Sequence, residues 1–123
     1  MKVLIDTCIV IDFLRGYQPA IDYFSAMDEQ PLISTITIAE LYAGAKNQSK
    51  KRAVDEILST LVVVDVTPEI AKRAGDWACR FTPSHGTDLP DALIAATTEE
   101  HNCTLATCNL KHFPMFPEMC RPY

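Results

Sequence analysis

The feature that most constrains this chain is a repeated alternation between short, β-prone apolar runs and stretches whose apolar residues recur at helical spacing. Lys2-Val3-Leu4-Ile5 leads through Asp6 and Thr7 into an amphipathic stretch from Ile9 to Leu14. Pro31-Leu32-Ile33 leads into a helix with the stripe Ile38, Leu41, Tyr42 and Ala45. Val62-Val63-Val64 leads into a helix expected from about Pro68 to about Phe81, and Thr104-Leu105-Ala106-Thr107 forms a fourth strand, with one more short strand expected near Met119. Strands separated by helices run parallel, because each crossover returns the chain to the same edge of the sheet. The pattern therefore predicts an α/β fold: a central parallel sheet of four or five short strands with helices on both faces.

Local signals place the joints. Gly16 stops the first helix and Pro19 lies at the start of a second, with Ile21, Phe24 and Met27 inward. Ser34 or Thr35 caps the third, and the polar run from Asn47 to Arg52 joins it to a helical stretch carrying Ile57, Leu58 and Leu61. Thr67-Pro68-Glu69 opens the next helix; Pro83 to Thr87 is expected to be a loop; Asp88-Leu89-Pro90-Asp91 opens the last helix, which runs to about Glu100 with Leu93, Ile94 and Ala96 inward. With 123 residues, 48% of them hydrophobic, the chain is expected to form one domain over 1–123 with its own core. Neither a membrane span nor a signal-peptide pattern is visible, so a soluble, cytoplasmic protein is expected. Cys8, Cys79, Cys103, Cys108 and Cys120 form an odd set without zinc-site spacing, read as buried or partly buried free thiols.

The net charge of −5 argues at first against nucleic acid, since phosphate binding usually leaves a basic footprint. The objection weakens if several acids share one cation site. In an open α/β sheet, ligands bind beyond the carboxyl ends of the strands, where Asp6 stands, although Asp6 has an equally good reading as a helix cap. Glu40 lies inside a helix beside its apolar stripe and, alone, reads as a boundary residue. Asp88 and Asp91, three apart, share one side of a helix N-terminus; capping accounts well for Asp88 and less well for Asp91.

Taken together, Leu4-Ile5-Asp6-Thr7, the run from Thr37 to Gly44 (Thr-Ile-Ala-Glu-Leu-Tyr-Ala-Gly), Asp91-Ala92-Leu93-Ile94-Ala95-Ala96-Thr97 and Leu105-Ala106-Thr107-Cys108-Asn109 resemble the PIN-domain ribonucleases in content, order and spacing. The likeness is greatest to VapC-type toxins of toxin–antitoxin pairs and runs from the first strand to about Phe113. The resemblance implies a PIN-like fold, a metal-dependent endoribonuclease, a VapB-type antitoxin as partner and a homodimer. Residue by residue it assigns Asp6, Glu40 and Asp91 to the three acidic metal positions. Where the family often has a fourth acid, this chain has Asn109, which offers an amide oxygen but no charge. Asp88 could supply part of the missing charge, a suggestion from spacing alone.

An all-carboxylate set without paired histidines suits Mg2+ or Mn2+ better than zinc. Such an ion activates water and balances charge on a phosphodiester. Thr7 and Thr107 stand beside the acids as hydrogen-bond donors, or serve only capping and β-propensity; His85, His101 and His112 are expected on surfaces or loops. Arg15, Lys46, Lys50, Lys51 and Arg52, with Arg80 and Lys111, are available for RNA phosphates, and structured RNA such as transfer RNA is the expected substrate. Tyr42, Trp77, Phe113, Met115 and Phe116 serve either as interface anchors or as core. Rival readings are a non-catalytic PIN-like module binding protein or RNA, a PIN nuclease acting on DNA, and a phospho-acceptor domain, which leaves Glu40 and Asp91 unexplained.

Overall fold

Leu4 and Ile5, adjacent in the first strand, are both fully buried, which requires packed layers on both faces of the sheet. The computed structural model, which describes residues 2–117 and 119–123, shows how this is achieved. Four three-residue strands, β1 (Val3–Ile5), β2 (Leu32–Ser34), β3 (Val62–Val64) and β4 (Thr104–Ala106), form one parallel sheet in the order β3-β2-β1-β4. Leu4 is in register with Leu32 on one side and Leu105 on the other. The edge strand β3 leaves Val62 and Val63 about 40% and 39% exposed, whereas the central strands are covered. The strand expected near Met119 takes the form of a single parallel bridge, in which Cys120 pairs with Ala106 beside β4. The Thr107 N–H donates to the Cys120 carbonyl and the Cys120 N–H to that of Leu105.

Six helices connect and cover the strands: α1 (Thr7–Leu14), α2 (Gln18–Ser25), α3 (Thr35–Gly44), α4 (Gln48–Leu58), α5 (Pro68–His85) and α6 (Leu89–Glu100), followed by a 3-10 turn at Leu110–His112. On one face Ile5 and Ile33 pack with Ile9, Val10, Leu41, Val54 and Ile57, drawn from α1, α3 and α4. On the other, Leu4, Leu32 and Leu105 meet Ile94 of α6 and the fully buried Phe113. Each fully buried Leu, Ile or Phe stabilises the fold by roughly 1.5–3 kcal/mol. Helix α5 lies on α6 through Ile70, Ala74, Ala92 and Ala96, the three alanines being small enough to let the two axes approach.

Two boundaries differ from expectation. The basic run from Asn47 to Arg52 does not merely join helices: the Asn47 side chain accepts from the Lys50 N–H at 2.9 Å, so the run forms the cap and opening of α4. Helix α5 continues past Pro83 to His85 in place of the expected loop. So close to the helix end, a proline forfeits only one intrahelical bond, and Gly86, at φ +67°, stops the helix while its N–H donates to the Thr82 carbonyl. All five cysteines are free; Cys79, expected to be at least partly buried, is exposed on α5. Phe113 belongs to the core and is no interface anchor. Among the described residues, no helix is long and apolar enough to cross a membrane.

Candidate active site

Asp6 is the first residue after β1 and Thr107 the first after β4, so the parallel pairing brings them together at the carboxyl edge of the sheet. Asp6 is only 4% exposed. Its Oδ1 accepts from the Thr7 N–H at 2.8 Å and its Oδ2 from the Thr107 hydroxyl at 2.7 Å, with the Cys8 thiol at 3.7 Å. The capping reading of Asp6 is thus correct, and it coexists with a fixed carboxylate orientation. Thr107 in turn accepts from the Asn109 N–H at 2.9 Å, so Asn109 joins the network through its backbone.

Helix α3, capped by the buried Ser34 at the end of β2, carries Glu40 to the same edge. The Thr7 hydroxyl donates to Glu40 Oε1 at 2.7 Å. Since that uses its only proton, the 3.0 Å contact between Thr7 and the fully buried Thr37 must have Thr37 as donor. Both threonines proposed from sequence therefore orient carboxylates. Thr37 was overlooked, although its spacing of three from Glu40 puts it on the same side of α3.

The third acid comes from the start of α6. Asp88 and Asp91 form a reciprocal capping box: the Asp91 N–H donates to Asp88 Oδ1 at 2.9 Å and the Asp88 N–H to Asp91 Oδ2 at 3.4 Å. His112 Nδ1 lies 3.2 Å from the same Asp91 oxygen, and the His112 carbonyl accepts from the Thr87 hydroxyl at 2.6 Å, which ties the turn before α6 to the 3-10 turn. Of the three histidines, His112 alone joins the acids, a placement set by tertiary structure that no local signal announces.

Electrostatics link the acids. Burial pushes Asp6 above the usual carboxylate range, opposed by the Thr107 and Thr7 hydrogen bonds and reinforced by the charge of Asp88. Glu40 is raised by burial, then by the charges of Asp6 and Asp88, with the Thr7 hydrogen bond opposing. Asp91 is pushed up to about 7, first by burial, then by the side chain and charge of Asp88 and by the charge of Asp6. Asp88 itself is exposed, yet its charge reaches all three others. The acids do not form a closed cage: among the described residues, no group of three His, Cys, Asp or Glu side chains is placed to hold a metal ion. The donor chemistry nevertheless fits a hard divalent cation, since Asp6, Glu40 and Asp91 are carboxylates whose charged form is disfavoured, a penalty that a nearby dication relieves.

The basic candidates separate into two groups. Arg15 and Lys50 join Glu40 around a cavity of about 260 Å³ between α1, α3 and α4. Lys46 donates to the Ala43 carbonyl at the end of α3, and Lys51 and Arg52 lie exposed on α4 outside the cavity. Arg80 stacks over Phe81, 5.3 Å from the ring centre.

Fold and site together define an α/β domain with carboxylates from three elements gathered near the ends of its central strands. The chain belongs to the PIN-domain family, whose model, described as PIN domain, matches residues 3–116. It is 40% identical to ribonuclease VapC10 of Mycobacterium tuberculosis over 98% of this chain and 92% of that one. To ribonuclease VapC19 of the same organism it is 39% identical over 98% of both chains. Among solved structures, a toxin–antitoxin complex from Klebsiella pneumoniae contains a chain that superposes with a TM-score of 0.84 at 33% identity, covering 99% of this chain and 98% of that one. Family membership sets aside the phospho-acceptor reading.

Proposed function

We propose that this chain is an endoribonuclease toxin of a toxin–antitoxin pair, which hydrolyses RNA phosphodiester bonds with Mg2+ or Mn2+ and is silenced by a cognate VapB-type antitoxin. The observation that carries the reading is the placement of Asp6, Glu40 and Asp91 at one sheet edge, with Asp6 and Glu40 held by hydrogen bonds from Thr107 and Thr7 and Asp91 held in the capping box with Asp88. It occurs in a domain whose near-full-length relatives include two chains named ribonucleases. The partner follows from the toxin–antitoxin complex that shares the fold and a third of the sequence.

Asp6, Glu40 and Asp91 would hold the ion, with Asp88 adding charge and Asn109 an amide oxygen in place of a fourth acid. When bound, Mg2+ or Mn2+ supplies an acidified water and balances negative charge on the phosphate. The chain's own residues prepare this chemistry. Thr107 fixes Asp6 and the Thr37–Thr7 pair fixes Glu40, so two carboxylates keep their orientation without a cation between them. Arg15 and Lys50 stand beside Glu40 to receive backbone phosphates. A structured RNA such as transfer RNA is the expected substrate class, and a homodimer the expected assembly.

Asn109 favours a second reading, a PIN-like module that binds protein or RNA without cutting. One experiment separates the two: incubation of the purified chain with RNA in Mg2+, in Mn2+ and in excess chelator, with and without coexpressed antitoxin. Metal-restored cleavage that the antitoxin suppresses supports the toxin reading. RNA left intact under every metal condition favours the binding module, and cleavage unaffected by chelator contradicts the metal assignment.

A further inference from the structure

The cavity beside Glu40 has a divided chemistry. Its floor is aliphatic, made by Leu14, Leu41 and Val54, the last two being part of the buried core. Its rim carries Arg15, at the end of α1, and Lys50, in the first turn of α4. Both cations are exposed, and neither forms an ion pair among the described residues, although the chain as a whole carries a net charge of −5. An occupant must therefore combine an apolar body with anionic ends and must reach the acidic site, because Glu40 belongs to both. A nucleotide of an unpaired RNA strand satisfies all three demands.

We propose that this cavity is a subsite for one unstacked nucleobase of the RNA substrate, adjoining the cleaved phosphodiester, with Arg15 and Lys50 gripping the phosphates on either side of that base. The proposal rests on the ribonuclease reading and deepens it. Among the described residues, no aromatic, amide or hydroxyl side chain lines the cavity. Glu40 is the one carboxylate on the lining and its Oε1 already accepts from Thr7, so the base is held mainly by aliphatic packing and by the planar Arg15 guanidinium. The subsite therefore selects for a base that is free to leave its stack and discriminates weakly among the four bases, which directs cleavage to loops and away from paired stems.

Gly44 lines the cavity, and a Cβ placed there meets nothing within 4 Å, so Gly44→Phe introduces a ring from α3 with no clash at its first atom. Ala53→Phe approaches the cavity independently from α4. Binding of a short, dye-labelled single-stranded RNA of mixed sequence is read by fluorescence anisotropy in Mg2+, in an Asp6→Asn background so that the RNA is not consumed. Circular dichroism checks folding. Each filling variant is expected to weaken binding by about five- to a hundredfold, leaving its salt dependence unchanged. Arg15→Gln and Lys50→Gln are each expected to lower the slope of log affinity against log salt by about 0.7. A fully paired RNA is expected to bind filled and unfilled proteins alike.

Undiminished single-strand binding by both folded filling variants overturns the subsite; if the unaltered chain still cleaves RNA, the ribonuclease reading survives. Failure of the unaltered chain to cleave RNA under any metal condition overturns both. Filling variants that bind RNA normally but no longer associate with coexpressed antitoxin would identify a protein-docking cleft and likewise overturn the proposal.

Discussion

Asp6 shows how a single carboxylate can be held in a fixed orientation in a place that disfavours its charge. Burial disfavours its charge, while the Thr107 hydroxyl and Thr7 N–H restore part of it. Thr107→Val keeps the shape but removes the donor to Oδ2. It is expected to raise the Asp6 pKa further, move the acidic limb of the pH–rate profile to higher pH and slow cleavage about 10- to 100-fold, measured as rate against pH. Asp91 provides a second test, in the metal-free chain. Its carboxyl rises from about 4 when unfolded to about 7 when folded, so between these values the folded state binds the extra proton. Its contribution to stability is full below about pH 4 and is lost as pH rises through about 7. Relative to Asp91→Asn, the unaltered chain should therefore lose about 1–2 kcal/mol across that window, an amount well below the full shift because the carboxyl is partly solvated. Denaturant melts in chelator at several pH values check this, and a pH-independent difference would contradict it. Asp6, Glu40 and Asp91 were legible from sequence only as members of an ordered pattern. Each alone has an ordinary structural role, and Asp6 does cap α1. His112 was not legible, because its contact with Asp91 depends on the chain folding back after β4.

At the level of elements, α6 joins stability to the site. Its cap, Asp88, supplies an acceptor for the helix and a charge that Asp6, Glu40 and Asp91 all feel. Asp88→Asn keeps the acceptor and removes the charge. It should leave thermal stability within about 1 kcal/mol, lower the Asp91 pKa and weaken divalent-ion binding, measured by calorimetric titration. Unchanged ion affinity would show that Asp88 acts only as a cap. The central strands were legible because buried parallel strands need continuous aliphatic runs, as in Leu4-Ile5 and Leu32-Ile33, and the edge strand because Val62-Val63-Val64 is β-branched throughout although two of its residues are exposed. The end of α5 was not, since Pro83 ordinarily signals a stop and is tolerated here by its place in the last turn. The opening of α4 was missed for another reason: a run of lysines has no apolar period, and the helix is set by the Asn47 cap and by Val54 and Ile57 further along.

At the scale of the whole molecule, an acidic protein acting on a polyanion needs its negative charge concentrated where a cation can offset it. Four acids at one sheet edge meet that need, and the parallel sheet brings residues distant in sequence into one field. The α/β architecture itself was fully visible in the alternation of strand and helix patterns; the cavity that joins Glu40 to Arg15 and Lys50 was not, because it arises where three helices meet. The central claim, that these carboxylates carry out metal-assisted RNA hydrolysis, is tested most directly by single-turnover cleavage of one RNA in fixed Mn2+ by the unaltered chain and by Asp6→Asn, Glu40→Gln and Asp91→Asn. Each substitution is expected to slow cleavage by at least about a hundredfold while the protein stays folded. Cleavage by any two of them at the unaltered rate would contradict the account.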